Sequence, residues 1–178
     1  MLIRKFNIMK PENQECCPKF NIGKWNKKTF SWHHKPFITA SVPTFFHIPY
    51  PPMIAKQITR LMKMATDSQK LPKNKEDVLV LFADPHPFKT EILLSVTDKV
   101  PGAKNTTLSG TFMSEVFDGK FKMLPKFIKQ MTVNLESLNK EAKTFYVHYA
   151  YCPGCAVKFG HNYMVLFAQV ETNLSNES

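Results

Sequence analysis

Hydrophobic positions along this chain change between the twofold period of strands and the helical period, and they do so twice in the same order. The first succession is strand, helix, strand, strand. Its elements are predicted at residues 42–48, from Met53 onward, at 78–82 and at 92–96. The order returns about 70 residues later. The second set is predicted at residues 106–117, from Leu124 onward, at 145–151 and at 163–170. The pattern therefore predicts two repeats, at about residues 41–98 and 105–171.

Two such repeats predict an α+β domain, in which duplicated strand–helix–strand–strand units form a mainly antiparallel sheet with helices packed on it. Units of this kind can pair about a pseudo-twofold axis and leave a cleft between them, where pockets tend to form. Residues 1–40 lack helical periodicity and are expected to form an N-terminal extension packed on the domain. Residues 172–178 are expected to be a flexible tail.

Each predicted helix carries an apolar stripe that is expected to pack on the sheet. In the first helix the stripe consists of Ile54, Ile58, Leu61, Met62 and Ala65. In the second it consists of Leu124, Phe127, Ile128, Met131, Leu135 and Leu138. A methionine-rich stripe could instead be an adaptable binding surface.

The predicted strands 145–151 and 163–170 are almost continuously apolar or aromatic, as expected for adjacent strands that are buried on both faces. The first of them has two chemically different faces. One face carries Phe145, Val147, Tyr149 and Tyr151, and the other carries Tyr146, His148 and Ala150. The face toward the cleft would present either tyrosine hydroxyls or a tyrosine–histidine pair.

The charge pattern narrows the classes of partner. The chain has 24 Lys and Arg against 14 Asp and Glu, a formal net charge of +10 at pH 7. The lysines are scattered and Arg60 is the only arginine beyond residue 4, whereas proteins that grip phosphate or bases bidentately use arginine. The pattern favours a solvated lysine surface or attraction of anionic ligands over nucleic-acid binding.

The same pattern bears on location. No apolar run reaches the roughly 18 residues that a membrane span needs. The first ten residues lack the apolar core and cleavage site of a secretory signal. We therefore expect no membrane partner and a cytoplasmic protein.

All four cysteines lie in two short motifs. Cys16 and Cys17 open the segment Cys-Cys-Pro-Lys-Phe, and Cys152 and Cys155 belong to a Cys-Pro-Gly-Cys turn between two predicted strands. The second spacing occurs in zinc sites and in thiol–disulfide sites, so the four cysteines are candidate zinc ligands, with His148 or His161 as possible substitutes. Three interpretations stay open: a zinc site, a redox pair activated by a short helix, and reduced thiols packed as small apolar groups.

Carboxylates and tryptophans add further candidates. Glu115 lies within an apolar predicted strand, where burial without a role or a partner would be costly; the alternative is that it faces solvent. Glu91 opens the last strand of the first repeat, where it could be a solvent-facing end residue, and the same choice stays open for it. Trp25 and Trp32 could pack over one end of the sheet or form an aromatic wall of the cleft that supports stacking or cation–π contact.

Residues 110–121 read Gly-Thr-Phe-Met-Ser-Glu-Val-Phe-Asp-Gly-Lys-Phe. Together with the helix that follows, they resemble the second repeat of the GyrI-like superfamily, in which a glycine-opened strand ends in a Gly-Pro-aromatic turn. Lys120 and Phe121 stand where proline and tyrosine are usual. The doubled element order matches as well, so the resemblance covers about residues 40–171. It implies a binder of small, often aromatic or cationic molecules; some members are effector domains of transcription regulators and some are hydrolases.

The two cysteine motifs are similar to those of a stand-alone subgroup that is often labelled as hydrolases. We therefore expect binding of a small organic molecule in the cleft, with hydrolysis of it through Glu115. The residues expected to bind the ligand are Phe112, Tyr149, Tyr151, His148, Trp25 and Trp32. The alternative is a zinc-binding or thiol-redox module built on the Cys-Pro-Gly-Cys turn, with no chemistry in the cleft.

Overall fold

The computed structural model describes residues 17–45, 48–49, 51–86 and 88–172. Four α-helices and seven strands follow one another along this part of the chain. They are α1 (Ile22–Trp25), β1 (Lys28–Phe45), β2 (Ile48–Pro49), α2 (Pro51–Asp67), β3 (Val80–His86), β4 (Lys89–Ser95), β5 (Lys104–Asp118), α3 (Leu124–Glu136), β6 (Lys140–Tyr149), α4 (Pro153–Phe159) and β7 (Tyr163–Thr172). Short 3₁₀ turns at Lys75–Asp77 and Phe121–Met123 precede β3 and α3.

The strands form one antiparallel sheet in the order β2-β1-β4-β3-β6-β7-β5. Because β1 also pairs with β5, from Lys28 opposite Ser114 to Thr39 opposite Lys104, the sheet closes into a six-stranded barrel with β2 as a short addition. The α+β class and the mainly antiparallel sheet are confirmed. Closure was not predicted from the sequence, and β1 starts well before the predicted run 42–48, within the stretch assigned to the extension.

Both strands of the closing pair bend at the same point. The register shifts between Trp32 and Lys35, where His34 has a φ of 50°. Opposite Trp32, Gly110 has a φ of 124°, a conformation that side-chain-bearing residues rarely adopt. The His34 amide donates a hydrogen bond to Ser109 Oγ at 2.9 Å. This bulge gives the long β1–β5 pair the curvature that a small barrel requires.

The two long helices pack on the outside of the barrel. Leu61 and Ala65 of α2 are buried over the first half of the sheet, as the apolar stripe predicted. Phe127, Met131 and Leu135 of α3 are buried over the second half. The predicted stripe of α3 was wrong at its end, because the helix ends at Glu136 and Leu138 beyond it is 55% exposed.

An aromatic core fills much of the barrel interior. The Trp32 ring lies 4.1 Å from the ring of Phe112, and both side chains are buried. Phe167, Phe37 and Trp25 pack around them. This cluster joins β1, β5 and β7, so it stabilises the side of the barrel that β1 and β5 close. Among the described residues, no helix is both long enough and apolar enough to cross a membrane.

Candidate functional site

One large cavity follows the seam between β3 and β6. These strands pair only at Leu81 with His148 and Phe82 with Val147. Side chains from both faces of the seam line the same connected space of about 2480 Å³, which reaches from the barrel interior to the groove between α2 and α3. We call this space the central cavity. It is larger than a typical ligand pocket of roughly 300–1,000 Å³ because it joins an interior space to an open groove.

A carboxylate and a phenol line the interior part of the central cavity. Glu91 of β4 lies opposite Ala83 of β3, and Lys89 Nζ lies 2.5 Å from Glu91 Oε1. Tyr146 of β6 is buried. Burial and the negative charge of Glu91 both raise the pKa of Tyr146, so its hydroxyl is protonated at neutral pH. The pair therefore combines a proton acceptor with a hydrogen-bond donor.

Thr39 of β1 contributes a second hydroxyl to this wall. Its Oγ1 is shielded from solvent and has no hydrogen-bond partner among the described residues. Buried polar atoms in folded proteins are nearly always hydrogen-bonded, so this hydroxyl is an exception; because its oxygen is shielded, it does not contact the cavity space in this conformation.

His148, a predicted ligand-binding residue, lines the central cavity from β6. Its Nδ1 lies 3.2 Å from the carbonyl oxygen and 3.3 Å from the amide nitrogen of Val80. The neutral ring makes one of these hydrogen bonds, according to its tautomer. Burial lowers the pKa of His148 to about 4, although the bond to Val80 opposes the shift. The imidazole is therefore neutral at pH 7. Its contact with Val80 is a further link between β3 and β6, beside the two paired positions of the seam.

The groove part of the central cavity is aromatic. The ring of Tyr149 lies 5.3 Å from that of Phe82 and 6.0 Å from that of Phe121, which is 55% exposed. Ile54, Ile58 and Ile128 of the two long helices add aliphatic surface. Burial and the nearby charge of Asp84 raise the pKa of Tyr149. The groove thus offers flat apolar walls with one protonated hydroxyl and one carboxylate at its edge.

Three of the four cysteines meet at the end of β6. The Sγ atoms of Cys17, Cys152 and Cys155 all lie within 4.8 Å of one another, and no disulfide joins them. Cys152 is the N-cap of α4 and Cys155 is buried in its first turn. The fourth candidate, Cys16, lies outside the described residues. His161 is not part of the cluster, since its Nδ1 lies 2.7 Å from Asp118 Oδ2.

The residues that follow Cys17 lie across one end of the central cavity. We call residues 17–21 the N-terminal segment, and all five line the cavity. The amide of Phe20 donates to the hydroxyl of Tyr151 at 2.9 Å, and its ring lies 5.2 Å from the ring of Tyr163. Tyr151 in turn stacks on Phe159 of α4 at 4.8 Å. The cysteine cluster and the cavity wall are therefore parts of one corner.

The remaining predicted site residues have different surroundings. Trp25 lines the central cavity, whereas Phe112 and Trp32 lie in the aromatic core and are not among its lining residues. Both oxygens of Glu115 accept hydrogen bonds from Asn134 Nδ2 of α3, at 3.3 and 3.0 Å, on the outer side of the barrel. Among the residues not assigned to the site from the sequence, Tyr146 could have been found by its alternation with His148.

No curated protein matches the chain significantly. A protein-family model described as "Bacterial hydrolase" matches residues 8–170, which include the barrel up to the last two residues of β7, the whole central cavity and all four cysteines. The chain therefore belongs to this bacterial hydrolase family.

Proposed function

We propose that the protein binds a small organic molecule in the central cavity and hydrolyses it there. The observation that carries the proposal is the pairing of Glu91 with the buried phenol of Tyr146 on the wall of a mainly apolar cavity. A concave apolar site with a few convergent polar groups and a titratable group of shifted pKa is the usual form of an active site. Membership of a hydrolase family supports the same reaction class.

Glu91 is the proposed general base. It accepts a proton from a water molecule while the water oxygen bonds to an electrophilic carbon of the substrate. The bond from that carbon to the leaving group then breaks, and the proton passes from Glu91 to the leaving atom. The Lys89 ammonium orients the carboxylate through Oε1. Glu91 replaces Glu115 in this role, because Glu115 is bonded to Asn134 and does not line the cavity.

Tyr146 is the proposed hydrogen-bond donor. Its raised pKa keeps the hydroxyl protonated, so that it can donate to a substrate oxygen that gains negative charge. The flat part of the substrate would lie in the groove against Phe82, Tyr149 and Phe121, with the Asp84 carboxylate close to any cationic group.

We also infer that the two halves of the barrel are repeats of a GyrI-like unit. Residues 28–95 supply β1-β4-β3 and residues 104–172 supply β5-β7-β6, so elements of equal rank hold equivalent positions in the sheet. Each half also has a long helix, α2 or α3, after its first long strand. In this interpretation the β3–β6 seam is the meeting line of the repeats, and the central cavity is the cleft that the resemblance implies.

The proposal is tested with p-nitrophenyl acetate and p-nitrophenyl butyrate, by following the released nitrophenolate. We expect Glu91→Gln to lower kcat/KM by about 100-fold or more and Tyr146→Phe to lower it by about 10-fold or more. Both changes keep the size of the side chain, and thermal melting checks that the fold is intact.

Glu115→Gln is the matched control, since it makes the same chemical change outside the cavity. We expect it to change kcat/KM by less than about twofold. Loss of hydrolysis in Glu115→Gln with full activity in Glu91→Gln would overturn the assignment. A wild-type protein that neither cleaves the two esters nor is stabilised by them would contradict ester hydrolysis in this cavity.

A further inference from the structure

We propose that Cys17, Cys152 and Cys155 bind a zinc ion, which fastens the N-terminal segment to the corner between β6 and α4. This site is separate from the residues proposed for hydrolysis. It is assembled from two parts of the chain, since Cys17 and Cys152 are 135 positions apart in the sequence.

The geometry of the three sulfur atoms fits a zinc ion. Zinc–thiolate bonds of about 2.3 Å in a tetrahedral site separate the sulfur atoms by about 3.8 Å. The three Sγ atoms already lie within 4.8 Å of one another, so small side-chain rotations are sufficient to bring them to a common centre. Cys152 and Cys155, at the N-cap and in the first turn of α4, come from one rigid corner.

The surroundings of the sulfur atoms also suit a bound metal. The backbone amide of Cys152 points at Cys17 Sγ at 3.4 Å, and such an N–H donor stabilises negative charge on a metal-bound sulfur. Cys155 is buried and the other two cysteines are half-buried. A cation between the three sulfur atoms would offset the mutual repulsion of their metal-bound forms. A water molecule would complete the tetrahedron.

The ion would hold one wall of the central cavity in place. Cys17 is the first residue of the N-terminal segment, and Phe20 at its other end is bonded to Tyr151 and packed on Tyr163. The other end of the segment is held by these contacts of Phe20 and by the turn at Asn21, whose side chain caps α1, and the ion would hold the end at Cys17. The proposed zinc is therefore structural. Its ligands come from the N-terminal segment and from the corner between β6 and α4.

The test is the metal content of full-length protein purified under reducing conditions without chelator. We expect one equivalent of zinc per chain, loss of that zinc in Cys152→Ser and in Cys155→Ala, and retention of it in Val157→Ser. Val157 is on the same helix and 85% exposed, so this control leaves the thiols intact. The Cys155→Ala change keeps a small apolar group, so a cysteine that only packs would tolerate it.

A second measurement does not depend on variants. Wild-type protein stripped of metal and loaded with Co²⁺ should gain the near-ultraviolet charge-transfer absorption of thiolate ligands, and zinc removal should lower Tm by about 5 °C or more. Three results would overturn the proposal: wild-type protein without zinc or Co²⁺ absorption, equal Tm with and without chelator, or zinc retained by every cysteine variant. A Cys152–Cys155 disulfide in the reduced preparation would overturn it in favour of a redox pair.

Discussion

His148 and His161 lie only thirteen positions apart, yet they meet opposite kinds of partner. His161 lies beside the carboxylate of Asp118, whereas Nδ1 of His148 meets the backbone of Val80 in a buried setting. Burial lowers the pKa of His148 from 6.5 to about 4, so the ring acts at neutral pH as a neutral hydrogen-bonding group. In this environment it cannot serve as an imidazolium acid.

The stability of the protein should therefore fall between pH 6.5 and pH 4. In this range the unfolded chain binds a proton at residue 148 and the folded chain does not, so protonation favours unfolding as pH decreases. We expect a loss of up to about 3 kcal/mol at pH 4 relative to pH 7 from this residue. The free energy of unfolding, measured by urea at several pH values, checks it.

The comparison protein for this prediction is His148→Gln, whose amide can still bond to Val80 but does not titrate. Its pH dependence should be flatter than that of the wild type between pH 6.5 and pH 4. Parallel curves for the two proteins would show that His148 is not the group responsible.

The residue positions explain which site predictions could be made. Successive side chains of a strand point to opposite faces, so the sequence alone could indicate that the tyrosines and His148 near the end of β6 face a cavity. In the structure, Tyr149, Tyr151 and His148 line the central cavity. Phe112 and Glu115 lie three apart on β5 and so face opposite sides. The choice between the interior and the outer face depended on α3, whose Asn134 meets Glu115, and no local pattern reports that contact.

At the level of elements, the bulge in β1 and β5 determines the shape of the sheet. Trp32 lies opposite Gly110 and Lys35 opposite Leu108, so two residues of β1 stand against the single residue Ser109 and β1 has one residue more at this point. Gly110 also lies close to Gln169 on the neighbouring strand. A Cβ built at Gly110 would be 3.3 Å from Gln169 Nε2. A side chain at position 110 is therefore disfavoured both by the backbone conformation and by the lack of space.

We expect Gly110→Ala to destabilise the protein by about 1–3 kcal/mol, because alanine is strained at this φ. Thermal or urea unfolding measures the change. Gly154→Ala is the control, since a Cβ at Gly154 meets no atom within 4 Å, and it should alter stability by less than about 1 kcal/mol. Equal effects of the two changes would show that the backbone conformation of Gly110 is not a constraint.

For the molecule as a whole, the elements were predictable and the closure was not. Apolar periodicity located both long helices and the strands β3 to β7, because each pattern is contained within a few turns or pleats, but it found only the last residues of β1. The pairing of β1 with β5 joins residues such as Lys28 and Ser114, which are distant in sequence. Twofold alternation does not report which strand lies next to which. For the same reason, the sequence did not predict whether Cys17 and Cys152 lie close together.

The global core and the ligand groove should respond differently to the same substitution. Phe112 is fully buried, and we expect Phe112→Ala to lower the free energy of unfolding by about 3–5 kcal/mol. Phe121→Ala should cost less than about 1 kcal/mol, because that side chain is 55% exposed, but it should raise KM for the nitrophenyl esters. Urea unfolding and ester kinetics on both variants separate the two roles.

A result in which Phe112→Ala is as stable as the wild type would contradict the packed aromatic core. An unchanged KM in Phe121→Ala would remove the groove from the proposed substrate site.

The short seam between β3 and β6 has a kinetic consequence. The other edges of the barrel are held by long ladders, such as β6 with β7 from Lys140 to Tyr149, whereas the seam has two paired positions and the His148 contact. Local opening needs far less free energy than unfolding when few hydrogen bonds break. The halves of the barrel can therefore separate along this line while the β1–β5 edge acts as a hinge. Ligands wider than the resting groove would then bind at a rate set by this breathing motion, and the amides of Leu81 and Phe82 would exchange with solvent before those of β7.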